Sequence, residues 1–140
     1  MSALQNVELL HRFPDVDDYL RLRKLSGLSE KSREAAGKGL GNTLYGVSLI
    51  QNDELIGMGR IVGDGGCFFL VVDIAVHPDF QRLGLGKRIM QALDAWLRAN
   101  APVSAHVSLL ADGDARHLYA QYGFIETAPA SIGMGYSVKP

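Results

Sequence analysis

Between Cys67 and Val76 (CFFLVVDIAV) every position except Asp73 is apolar, the pattern of a strand covered on both faces of a sheet. Two β-rich runs precede it, 43–51 (TLYGVSLIQ) and 54–63 (ELIGMGRIVG), and the Asn52-Asp53 pair between them predicts a hairpin. His77-Pro78 closes the apolar strand. Leu85, Ile89, Leu93, Trp96 and Leu97 then recur at helical spacing. Val103, Ala105, Val107 and Leu109 alternate with Ser104, His106 and Ser108, which predicts a strand with one apolar and one polar face.

The two ends of the chain follow the same logic. Val7 to Leu10 reads as a short first strand, and Asp15 after Pro14 as the cap of a helix whose third residue is Asp18 and whose end lies near Gly27. Ser29 to Leu40 reads as a second short helix. Gly37, Gly39 and Gly41 weaken its end and mark a mobile segment on the substrate side. A last helix is expected from Asp112 to Tyr122 with Gly123 as its stop, and 133–138 (GMGYSV) as a closing strand. The sum is a mixed α/β domain with a strand–glycine loop–helix unit at its centre.

Composition narrows the function classes. The chain has 140 residues, which suggests one domain over 1–140, and its 47% hydrophobic and 21% charged content is that of a packed protein rather than a disordered one. A formal charge of −1 removes the basic excess expected of a protein held by nucleic-acid phosphates, so any anion site must be local. A single cysteine, Cys67, excludes an intramolecular disulfide framework and a Cys-rich zinc site, and fits the cytoplasm best. The opening MSALQNVELLHRF lacks a basic segment followed by an apolar stretch, and the longest apolar run is far below the ~18 residues of a membrane span. Neither a membrane nor a nucleic acid is expected as a partner.

The loop QRLGLGK at 81–87 enters a helix directly after the apolar strand, so its backbone N–H groups lie at the positive end of the helix dipole. Gly84 and Gly86 let an anion approach, and Arg82, Lys87 and Arg88 add local positive charge. Two phosphate motifs fail. A dinucleotide fingerprint needs glycine where Ile89 stands, and a P-loop needs glycine at Gln81 and Ser or Thr at Arg88.

The run DIAVHPDFQRLGLGKRIM at 73–90 resembles the acyl-CoA-binding motif of the GNAT superfamily of N-acetyltransferases, Q/R-x-x-G-x-G/A after a strand, with Gln81, Gly84 and Gly86 in its defining places. LYAQYGF at 118–124 resembles the family's terminal helix. A closer likeness is to plant-type serotonin N-acetyltransferases and their bacterial relatives, from LIGMGR at 55–60 through Asp64 and SLLADGDARHLYAQYGF to Gly133-Met134. The first 50 residues contribute mainly LRKLSGL at 22–28. The resemblance implies a mostly antiparallel mixed sheet of six or seven strands, flanked by about four helices and splayed at the central strand. It implies acetyl-CoA as cosubstrate and no metal, with Ile74, Ala75 and Val76 against the pantetheine arm. The pyrophosphate would lie over Gln81, Arg82, Leu83, Gly84, Leu85, Gly86, Lys87 and Arg88.

An acceptor amine of lysine-like pKa ~10 is neutral in only about one molecule in a thousand at pH 7, so a proton acceptor is useful. Asp73, Asp112 and His106 are the candidates. Asp73 is the lone charge of its strand, and its alternative role is to accept backbone N–H bonds at a bulge. Many family members carry a basic Glu a few residues earlier, where this chain has Leu70. Asp112 reads equally well as a helix cap, while the resemblance to the plant-type enzymes gives it a place in the chemistry. His106 reads as a surface histidine and is a reserve base. Tyr119 lies in an Ala115, Leu118, Tyr119, Tyr122 stripe that suggests core; the resemblance instead makes it the proton donor to the leaving thiolate, ahead of Tyr122. The Ile74 N–H is expected to face the developing oxyanion. Cys67 reads as a buried small side chain, and Tyr19, Phe68 and Phe69 could stack on an aromatic amine. The expected reaction is acetyl transfer to a primary amine by direct attack in a ternary complex, with a small arylalkylamine or other small amine favoured. The alternatives are a protein lysine or N-terminal acetyltransferase and a non-catalytic CoA-binding module. The resemblance allows a homodimer.

Overall fold

Asp15 caps the first helix as its sequence predicts. In the computed structural model, which describes residues 6–140, its carboxylate accepts from the Asp18 N–H at 2.9 Å. The first five residues of the MSALQNVELLHRF opening lie outside the described part. The described residues fall into two compact units that divide between Leu109 and Leu110. The first holds β1 (Glu8–Leu10), α1 (Val16–Leu25), α2 (Arg33–Gly39), β2 (Tyr45–Gln51), β3 (Glu54–Gly63), β4 (Phe68–Val76), α3 (Leu85–Asn100) and β5 (His106–Ser108). The second holds α4 (Arg116–Ala120), preceded by a short 3₁₀ turn at Gly113–Ala115. Helix α2 starts later than expected because Ser32, not Ser29, is its cap, accepting from the Ala35 N–H at 3.0 Å.

The strands form one sheet in the order β1-β2-β3-β4-β5, antiparallel as far as β4 and parallel between β4 and β5. Asn52 and Asp53 both adopt positive φ (50° and 64°), which closes the β2–β3 hairpin with the backbone twist that a two-residue turn favours. Side chains alternate across β3. Met58 joins Tyr19, Leu22, Ala36, Leu55 and Ala75 in a core under α1 and α2, whereas Gly59 faces Ile89 and Leu93 of α3. A Cβ at Gly59 would lie 2.7 Å from Ile89 Cγ2 and 3.2 Å from Leu93 Cδ1. Gly59→Ala is therefore expected to cost about 1–3 kcal/mol by overpacking, read as a lowered midpoint in urea unfolding.

Several expectations are corrected. The described residues contain five strands, not six or seven, and 133–138 is not a strand. Alternation makes a strand only where one face is buried, and Met134, Tyr136 and Val138 are all exposed. The strand expected at 103–109 contracts to His106–Ser108, because Ser104 takes a φ of 77° and the Ala105 N–H turns back to the Pro102 carbonyl at 3.1 Å. The first half of β4 is covered on one face only: Phe69 and Val71 are buried, Phe68 and Leu70 are exposed, and Cys67 is exposed rather than buried. In the second unit, the helix expected over 112–122 divides into the 3₁₀ turn and α4. Gly123, at φ 89°, ends it as predicted.

Candidate active site

The register of β3 and β4 slips between Met58 and Arg60: Met58 faces Ala75 while Arg60 faces Val72, so Asp73 and Ile74 together oppose Gly59. This is a bulge, and Asp73 takes a φ of 60° to make it. The turned-in carboxylate is buried, with 6% of its side chain exposed, and accepts from Arg23 Nη1 at 2.5 Å, Arg60 Nε at 2.7 Å and the Tyr19 hydroxyl at 3.1 Å. Burial and the neighbouring Asp73 charge raise the pKa of Tyr19, which keeps its proton in place for that bond. Arg23 is fixed in turn by the carbonyl and hydroxyl of Ser29, and Arg60 by Thr43 Oγ1 and the Gly39 carbonyl. The backbone-accepting role considered for Asp73 gives way to ion pairs. Arg23 and Arg60 escaped the sequence reading, although each carries a signal. Arg23 stands four residues after Tyr19 on the inner face of α1, and Arg60 is the lone charge between Leu55 and Val62.

Beyond the bulge, one edge of β4 is open among the described residues. β5 pairs with Phe68, Phe69 and Leu70 alone. The His77 N–H donates to the Ile56 carbonyl at 2.7 Å, toward β3, so by strand alternation the amides of Val76 and Ile74 face away from β3. Gln81 Nε2 bonds the Val76 carbonyl at 3.0 Å and joins the glycine loop to this edge. Arg82 and Gly84 adopt positive φ (63° and 84°), and α3 starts without a side-chain cap: Gly84 is its N-cap, and its first backbone bond is Arg88 N–H to the Gly84 carbonyl at 3.1 Å. The N–H groups of Leu85 and Gly86 are thus offered at the positive end of a 16-residue helix.

The remaining sequence candidates are distributed unevenly. Gln81, Arg82, Leu83 and Gly84 lie on the exposed loop, Lys87 is exposed on the first turn of α3, and Gly86 is half-buried. The side chains of Ala75 and Leu85 are in the core, which leaves only their main chain for a ligand. Arg88 Nη1 donates to the Val7 carbonyl at 3.1 Å and so ties α3 to the start of β1. Tyr19 and Phe69 are buried, which leaves Phe68 as the exposed ring of the three considered for stacking. His106 is exposed on β5. In the second unit, Tyr119 is half-buried with its ring edge-on to Phe124 at 6.4 Å. Burial and the charge of Asp112 raise its pKa above the ordinary tyrosine value. Asp112 stands at the N-cap position of the 3₁₀ turn but makes no capping bond with its side chain.

The sheet with helices on both faces, the open edge of β4 and the uncapped loop entering α3 define an acyltransferase-type α/β fold. The chain belongs to the GNAT acetyltransferase family: the Acetyltransferase (GNAT) domain matches residues 45–126, more than half of its length. A protein of unknown function from Staphylococcus aureus, described as a "Probable Acetyltransferase", is 43% identical and superposes with a TM-score of 0.90, over 94% of this chain and 99% of that one. A GNAT family acetyltransferase from Streptococcus pneumoniae shares the fold at 22% identity and a TM-score of 0.75, over 96% and 99% of the two chains. The "Uncharacterized N-acetyltransferase ycf52" of Pyropia yezoensis is 37% identical over 99 residues, which are 68% of this chain and 56% of that protein. The chain spans about half the length of the curated relatives it matches. No helix among the described residues is long and apolar enough to cross a membrane.

Proposed function

We propose that the protein transfers an acetyl group from acetyl-CoA to a primary amine by direct attack within a ternary complex, with small amines, arylalkylamines among them, as acceptors. The observation that carries this reading is the open Ile74–Val76 edge running through Gln81 into the uncapped start of α3. Unpaired strand amides are costly unless a ligand bonds them, and these stand beside an anion-binding helix terminus, as an amide-containing arm ending in a pyrophosphate requires. When bound, acetyl-CoA supplies the acyl group as a thioester. The Ile74 carbonyl and the Val76 N–H bind the arm, and the segment from Arg82 to Lys87 binds the phosphates. The Ile74 N–H also donates to the acyl carbonyl oxygen, where aligned amides stabilise negative charge without reorganising. Tyr119 holds the proton for the departing sulfur. Deprotonation of the amine is assigned to Asp112, since both oxygens of Asp73 are taken by arginines; Asp73 acts by holding the bulge. A cytoplasmic location belongs to the same proposal.

Calorimetric titration with CoA and acetyl-CoA tests the binding half. Saturable binding is expected, weakened at least about tenfold when Arg82 and Lys87 are both replaced by glutamate; no heat with either ligand overturns the reading. CoA release with a panel of arylalkylamines, polyamines and lysine peptides tests the chemistry. Preference for peptides would make the protein a protein acetyltransferase, and tight binding without turnover a CoA-binding module.

The raised pKa of Tyr119 sets a pH expectation. The phenol must be protonated to donate, so the basic limb of kcat should lie above the ordinary tyrosine value of ~10. Asp112→Asn removes the assigned base, so it should lower kcat at every pH; it also removes the carboxylate charge that helps raise this pKa, so the limb of the residual activity should move to lower pH. A pH-rate profile of both proteins checks the sign.

A further inference from the structure

Two arginines and one carboxylate meet at the β4 bulge, and their charges do not cancel: Arg23 and Arg60 contribute +2 and Asp73 contributes −1. Among the described residues, Asp73 is the sole acid that bonds either guanidinium. The Tyr19 phenol, protonated, adds no charge. All three nitrogens of Arg23 are engaged, with Asp73 and with Ser29. Arg60 differs. Its Nε bonds Asp73 and its Nη1 bonds Thr43 and Gly39, but its Nη2 bonds nothing among the described residues. Among the described residues no buried side-chain nitrogen or oxygen lacks a partner, so Nη2 reaches solvent although only 13% of the side chain is exposed. Phe13 covers the face of the guanidinium, its ring centroid 5.5 Å from Arg60 Cζ, which leaves the in-plane edge at Nη2 as the approach.

A half-sealed excess of positive charge is costly until an anion compensates it. We propose that Arg60 is a specificity determinant: its Nη2 edge binds an anionic group, carboxylate or phosphate, on the acceptor, so that the substrates are small amines bearing a negative charge. This rests on the acetyl-transfer reading above. Two placements favour the acceptor over the cosubstrate as the source of the anion. Arg60 shares the α1/α2 face of β3 with Met58, whereas the glycine loop leads into α3, which packs on the opposite face. Its partner Asp73 adjoins Ile74, whose amide faces the open edge where acyl transfer is proposed.

Matched pairs of amines test the proposal, with phenylalanine against phenylethylamine and phosphoethanolamine against ethanolamine. The anionic member should be favoured in kcat/KM by about tenfold or more, mainly through KM. Arg60→Gln should abolish that ratio, while Arg60→Lys, which keeps a cation beside Asp73, guards against misfolding and should retain part of it. A wild-type ratio of one or less overturns the proposal, as does an Arg60→Gln variant that loses CoA affinity by the same factor, since the anion would then be the cosubstrate's. If no amine is turned over, the acetyl-transfer reading fails on its own and binding decides: calorimetry with 3-phenylpropionate and phenyl phosphate should show saturable heat that Arg60→Gln removes. Heat from the first alone assigns a carboxylate and from the second alone a phosphate; no heat from either sinks the inference.

Discussion

Asp73→Ala should lower the unfolding free energy by about 3–5 kcal/mol, the cost of removing one partner from a buried ion pair. The substitution strips the carboxylate from between Arg23 and Arg60, whose side chains are 8% and 13% exposed. Neither arginine can leave easily, because Ser29 holds one and Thr43 the other. Alanine also tolerates the 60° φ poorly, at a cost of roughly 1–2 kcal/mol. Asp73→Asn separates the two effects: asparagine visits that conformation readily and keeps the shape, so its loss should be smaller and due to charge alone. Urea unfolding of the three proteins measures the difference. A loss below ~1 kcal/mol for the alanine variant would be the value for an exposed pair and would contradict the buried network.

Tyr119→Phe should reduce kcat by roughly 10²- to 10⁴-fold, the usual contribution of a positioned proton donor, with little change in KM for the amine. The ring contact with Phe124 needs only the aromatic face, so the variant should fold normally. The pH profile separates chemistry from packing. If Tyr119 is the acid, the residual activity of the phenylalanine variant loses its basic limb, whereas a packing role would leave the limb in place at reduced height. Unchanged turnover with every accepted amine would remove Tyr119 from the reaction.

What the sequence disclosed divides by range. The Asp15 cap, the Asn52-Asp53 turn, the start of α3 at Leu85 and the stop at Gly123 are decided by neighbours a few residues apart, and each was legible. The apolar stripe of α3 was legible too, because a helix shows its buried face to any reader who counts in fours. The strand ends were not: 103–109 and 133–138 alternate well enough, but alternation cannot report whether a neighbour covers the apolar face. The same gap hid the exposure of Cys67 and Phe68. Of the candidate site, the glycine loop and its motif were readable because their residues are contiguous. The partners of Asp73 were not, since Arg23 lies 50 positions away and Arg60 13, and only the fold brings them together. Asp73 stood out as anomalous in sequence, and its explanation is tertiary.

Gln81 reaching back to the Val76 carbonyl makes the strand and the glycine loop one mechanical piece. Whatever seats itself along the strand also feels the shape of the turn, so the two halves of a long, flexible guest are registered against one ruler instead of two.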